Sequence, residues 1–78
     1  MRGLLPRSAI ILRDRREFLK LTQQEVADEV GMMVRNYQRF ELGDRDFRRC
    51  NVTQALKICA ALGLDPFEVV FEDASAIL

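Results

Sequence analysis

The stretch from Gln23 to Leu42, QQEVADEVGMMVRNYQRFEL, constrains its own conformation more tightly than any other part of the chain. Val26, Ala27 and Val30 fall at spacings of one, three and four, which is one stripe of an amphipathic helix. Gly31 follows at once. Glycine accepts the left-handed backbone that ends a helix and redirects the chain. Beyond Met32 a second stripe, Tyr37 and Phe40, resumes at i, i+3. Ala27 is small enough for the second helix to cross closely over the first. These residues together specify two short helices, a tight turn and the face that each helix buries.

The flanking segments extend the helical reading to five helices without a strand. Ser8 serves as N-cap of a first helix reaching about Lys20, with Leu12 and Leu19 on its inner face. Thr22 and Glu25 form a capping box, each satisfying a free backbone donor of the other, so the second helix runs from Gln23 to about Val30. The third runs from about Met33 to Leu42, where Gly43 stops it, and Asp44 to Cys50 is a basic, irregular connection. Asn51 caps a fourth helix whose stripe is Val52, Ala55, Leu56, Cys59 and Leu62, closed by Gly63. Asp65, Pro66 and Glu68 open a short fifth helix as cap, first residue and returning acceptor. Phe67 and Val70 are expected to seal the core beneath it. Phe71, Ile77 and Leu78 are open to either sealing or a dimer seam, and Ile11, Phe18 and Phe47 lie off the inner stripes. One domain fills residues 1–78, with a core of about 8–71 and a tail at 72–78.

Two helices joined in this way make a helix-turn-helix, whose second helix can lie in the major groove of DNA. The same geometry also occurs as an αα-corner in a bundle that binds nothing, and the joint fit of so many positions favours the former. The formal net charge of zero conceals a division. Residues 1–57 carry twelve basic side chains against eight acidic ones, a net +4, and residues 58–78 carry four acidic side chains and no basic one. A chain so divided can turn a basic face to phosphates while neutral overall. Cys50 and Cys59 have neither metal nor redox spacing, and there is no histidine. No nucleophile, base and orienting group can be assembled, so no catalytic residue, metal or cofactor is expected. The opening MRGLLPRSAIIL is broken by Pro6, Arg7 and Ser8 and is not read as a signal peptide, which points to a cytoplasmic protein without a membrane partner.

The order REFLKLTQQEVADEVG, YQRFELGDR and ALKICAALGLDPFEVV resembles the Cro/repressor, or XRE, helix-turn-helix group of bacterial and phage regulators across roughly Leu12 to Val70. The resemblance implies an all-α, compact five-helix lambda-repressor-like domain with the helix-turn-helix at its second and third helices. It implies sequence-specific binding of double-stranded DNA, commonly by a homodimer on a palindromic operator. It also implies a structural ion pair of Arg16 with Glu41, and a phosphate contact from Gln23. One departure stands out. The family usually caps its third helix with serine or threonine, and this chain has Met33 there.

With Tyr37 and Phe40 inward, Val34, Arg35, Gln38 and Arg39 project from the opposite face of the third helix. Arginine can donate twice to guanine, glutamine can pair with adenine, and Met33 or Val34 can touch a thymine methyl. The candidate base contacts are therefore Met33, Val34, Arg35, Gln38 and Arg39. The candidate phosphate contacts are Gln23, Asn36, Arg45, Arg48 and Arg49, with Asp44 and Asp46 interspersed among the loop arginines. The expected function is a small transcriptional regulator, a repressor that acts by occupying a promoter. The alternative is a protein-interaction module of the same fold, an antitoxin or antirepressor-type partner with weak or secondary DNA binding, suggested by Phe18 and the acidic, apolar C-terminal segment.

Overall fold

A computed structural model describes the backbone of residues 6–70. Four helices are α1 (Arg7–Phe18), α2 (Gln23–Val30), α3 (Val34–Leu42) and α4 (Val52–Leu62), with a 3-10 turn at Phe47–Arg49 between α3 and α4. Residues 66–70 are the described part of a fifth, α5. No strand occurs among the described residues.

Helix boundaries follow local chemistry closely. The Thr22 hydroxyl accepts from the Glu25 amide at 3.0 Å, and the Glu25 carboxylate accepts from the Thr22 amide at 2.8 Å. Gly31 ends α2 at φ 82°, ψ 37°, and its amide donates to Ala27 and Asp28 carbonyls. Asn51 caps α4 by accepting from the amides of Thr53 and Gln54. Asp65 accepts from the Phe67 amide at 2.9 Å and so starts α5.

α1 begins differently from expectation. Pro6 precedes its first residue, and Ser8 is buried inside the helix instead of capping it. Leu19, expected inside, lies beyond the end of α1 and is 37% exposed. The inner face instead runs through Ala9 and Leu12 and continues with the half-buried Arg15 and Arg16. Arg15 donates from Nε to the Leu62 carbonyl at 2.8 Å, satisfying an acceptor in the last turn of α4.

The core joins Leu12, Val26, Ala27, Val30, Tyr37, Phe40, Phe47, Ile58, Cys59, Leu62 and Val69. α3 packs on α1 and α2, and α4 packs on α2 and α1. Three expected inner residues are displaced. Val52 and Leu56 are exposed, because α4 turns Ile58 inward in company with Cys59 and Leu62. Phe67 is likewise exposed at 70%, and Val69 takes the sealing position, with Val70 packed partly against the core. Phe47, off every stripe, is buried edge-on against Phe40 at 5.8 Å. The readings for Phe71, Ile77 and Leu78 fall outside the described residues.

Candidate nucleic-acid interface

α3 owes its orientation to three buried residues, Tyr37, Phe40 and Glu41. Two apolar rings and a paired carboxylate on one side leave the other side of this nine-residue helix to solvent. Arg35 and Arg39 are exposed there, four residues apart and so stacked along the helix. Met33 stands at the N-cap, 63% exposed, and as the sequence suggested its side chain makes no capping hydrogen bond. Val34 departs from its expected exposed position, being half-buried and packed against the core, because the turn brings the first residue of α3 back toward it. Asn36 is half-buried.

Glu41 is the polar centre of the domain. It is 5% exposed and receives Arg16 in a forked pair, Nε to Oε2 at 2.7 Å and Nη2 to Oε1 at 3.0 Å. Arg16 also donates from Nη1 to the Leu21 carbonyl at 2.9 Å, which ties the α1–α2 connection to the same group. Burial pushes the Glu41 carboxyl upward, but hydrogen bonds from Arg16 and Gln23 and the adjacent Tyr37 hydroxyl prevail and hold it below the ordinary range. The Tyr37 hydroxyl is enclosed beside this carboxylate without a hydrogen bond of good geometry, and its burial raises its pKa strongly.

Gln23, the first residue of α2, donates from Nε2 to Glu41 Oε1 at 3.1 Å. Its Oε1 in turn accepts from Gln38 Nε2 at 3.0 Å. The structure thus brings a candidate phosphate residue and a candidate base residue into direct contact, on a chain of bonds rooted in the ion pair. Gln23 and Gln38 are fifteen residues apart, and no helical spacing reveals the contact in advance. Two glutamines at a helix start and on the facing helix were the available signal.

The loop after α3 is organised by its aromatic residue. Phe47 anchors the 3-10 turn in the core, and Arg45, exposed, lies with its guanidinium 5.4 Å from the Phe40 ring centroid. Arg49 is exposed in the turn. The Arg48 side chain lies outside the described residues. The two thiols are unlike reactive cysteines: burial raises that of Cys59 to about 11, and burial also raises that of Cys50.

Comparison with known proteins agrees with this architecture. The family model described as helix-turn-helix matches residues 12–69. Among solved structures, a crystal structure of the clp gene regulator ClgR from C. glutamicum superposes with a TM-score of 0.71 at 22% identity, covering 97% of this chain and 96% of that one. A second ClgR structure, from Corynebacterium glutamicum, gives 0.74 at 22% identity over 97% and 79%. No curated protein matches. The structural likeness at that identity establishes the fold, and the family match over most of the length establishes the kinship: the chain belongs to the helix-turn-helix family of the Cro/repressor, or XRE, type.

Proposed function

We propose that this DNA-binding regulator reads duplex DNA with α3 and represses by occupying a promoter as a two-fold dimer on a palindromic operator. The observation that carries the reading is the outward pair Arg35 and Arg39, on a helix whose other side is fixed by Tyr37, Phe40 and the Arg16–Glu41 pair. A rigid helix with two forked donors stacked along its free face suits base edges in a major groove. In this reading Arg35 and Arg39 donate to guanines, Gln38 addresses adenine, and Met33 and the exposed edge of Val34 meet thymine methyls. Gln23, Asn36, Arg45, Arg48 and Arg49 hold the backbone in register. The dimer seam is assigned to the exposed Leu56 and Phe67, which with Pro66 and Val70 line a shallow apolar groove of about 260 Å³, and to the exposed Val52 one turn before Leu56 on α4. The protein acts in the cytoplasm; among the described residues no helix is long and apolar enough to cross a membrane.

The test is selection of the purified protein on a random duplex library. An enriched palindrome is expected, with half-sites near one helical turn apart. A folded protein that enriches nothing defeats the reading. A second reading, a module that binds another protein, draws on Phe18, which is 71% exposed with the Arg15 guanidinium 5.1 Å from its ring centroid. Arg35→Ala with Arg39→Ala separates the two: DNA binding is expected to vanish, whereas a protein-pairing activity on the α1 side would survive unchanged.

A further inference from the structure

The bonds from Glu41 to Gln38 have a fixed direction. A carboxylate can only accept, so the Gln23 group facing Glu41 must be its amide nitrogen. The other end of the Gln23 amide is then its carbonyl oxygen, and the group Gln38 turns toward it must be a donor. Arg16 holds both oxygens of the carboxylate with two forked bonds, one of them on the Oε1 that Gln23 also reaches, so the root of the relay is itself immobilised. The orientation of the Gln38 amide thus follows from the chemistry of a residue on the buried side of α3.

We infer that Gln23 and Glu41 are positioning residues for base readout, presetting the Gln38 amide so that its carbonyl oxygen and remaining N–H are offered together to adenine. This inference rests on the reading of α3 as the DNA-reading helix. A free glutamine rotates about its terminal bond and presents either end, which blurs the distinction between a base edge that needs one acceptor and one donor in a given order and one that needs the reverse. Adenine shows an N6 donor beside an N7 acceptor, the complement of a glutamine with its oxygen and nitrogen in set positions. The Arg16–Glu41 pair would then do more than join α1 to α3: it sets the polarity of a recognition group. Gln23 keeps one N–H beyond the one spent on Glu41, so a phosphate contact by Gln23 is compatible with this role.

The experiment selects wild type, Gln38→Ala, Gln23→Met and Glu41→Gln on the same random duplex library at neutral pH, after circular dichroism has shown each variant folded. Methionine keeps the length of Gln23 without its hydrogen bonds. Glutamine at 41 can donate as well as accept, so it releases the direction of the relay without removing the side chain. The wild-type motif is expected to contain one adenine per half-site that Gln38→Ala abolishes. Gln23→Met is expected to weaken preference at that same position by about tenfold and leave the other positions intact. Glu41→Gln is expected to do likewise, and if that variant does not fold, Gln23→Met decides alone. A wild-type motif in which Gln38→Ala changes no position overturns the inference, as does a Gln23→Met variant that keeps the wild-type adenine preference, whether or not it binds all sequences more weakly through a lost phosphate contact. A wild type that enriches nothing overturns the DNA reading itself and the inference with it.

Discussion

Glu41 concentrates the residue-scale physics of this protein. A buried charge pair is weak evidence of net stabilisation, because desolvation opposes the attraction, yet removing one partner leaves the other uncompensated. Here the side chains of Arg16 and Glu41 are 13% and 4% exposed, so the pair is little screened by solvent. Glu41→Gln is expected to lower stability by about 2 kcal/mol at pH 7. The dependence on pH has a definite sign. The Glu41 pKa in the folded protein lies below its ordinary value of 4.5, so its contribution is complete above that pH and is lost as pH falls through the lowered value. Once protonated, Glu41 resembles the glutamine that replaces it. The stability difference between wild type and Glu41→Gln is therefore expected to shrink on acidification below about pH 4.5. Paired denaturant titrations across that range check it, and a constant difference would show that the carboxylate gains nothing from its ionised state. The identities of Arg16 and Glu41 were legible in the sequence only through family resemblance. The bond from Gln23 to Gln38 was hinted at only by two glutamines on adjoining helices, since the contact itself depends on how α2 is rotated against α3.

At the scale of elements, the stops and starts were the legible part. Thr22 with Glu25, Gly31, Gly43, Asn51 and Gly63 act on backbone groups within a few residues of themselves, so their effect survives without knowledge of the rest of the molecule. Facing was less legible. α4 is apolar nearly all round, and the series Val52, Ala55, Leu56, Cys59, Leu62 and the series Ala55, Ile58, Cys59, Leu62 both satisfy helical spacing. Packing against α2 chose the second. In α1 the inner face passes through arginines whose charges have partners on other elements, which a hydrophobic stripe does not register. The start of α3 offers a direct test of the local argument. Met33 has the extended backbone of an N-cap, φ −71° and ψ 139°, and no capping oxygen. Its side chain is largely exposed, so little packing is lost by replacing it. Met33→Thr is expected to stabilise the domain by about 1 kcal/mol, raising Tm by about 4–8 °C. An unchanged Tm would mean that the first amides of α3 are already as well satisfied by water.

The whole molecule divides its charge along its length, and that division predicts how it meets a polyanion. The +4 of residues 1–57 includes Arg35 and Arg39 on α3 and Arg45 and Arg49 beyond it, whereas the excess of acid lies after residue 57. Arg45→Ala with Arg49→Ala is expected to weaken binding to all sequences alike and to reduce the slope of log affinity against log salt by about 2, without altering the selected motif. Binding titrations at several salt concentrations measure that slope, and a changed motif would mean that these arginines reach bases. Among the exposed apolar side chains, Phe67 lies in the acidic end and Val52 and Leu56 on α4 just before it, and this placement bears on assembly. If Val52, Leu56 and Phe67 form the seam between two copies, the seam is built from α4 and α5 and takes no residue of α3, leaving the α3 arginines of both copies free to engage DNA. A two-fold interface presents each residue twice, so a single substitution there acts twice. Phe67→Asp places two carboxylates in the seam, yet Phe67 is 70% exposed in the monomer and its loss removes little core. The variant is therefore expected to retain its Tm at dilutions where wild type is monomeric, to sediment as a monomer where wild type is a dimer, and to bind a palindromic operator about a hundredfold more weakly because the two half-sites are no longer engaged together. Equal sedimentation of the two proteins would place the dimer contact elsewhere, and equal operator affinity with altered sedimentation would mean that each copy reads its half-site alone.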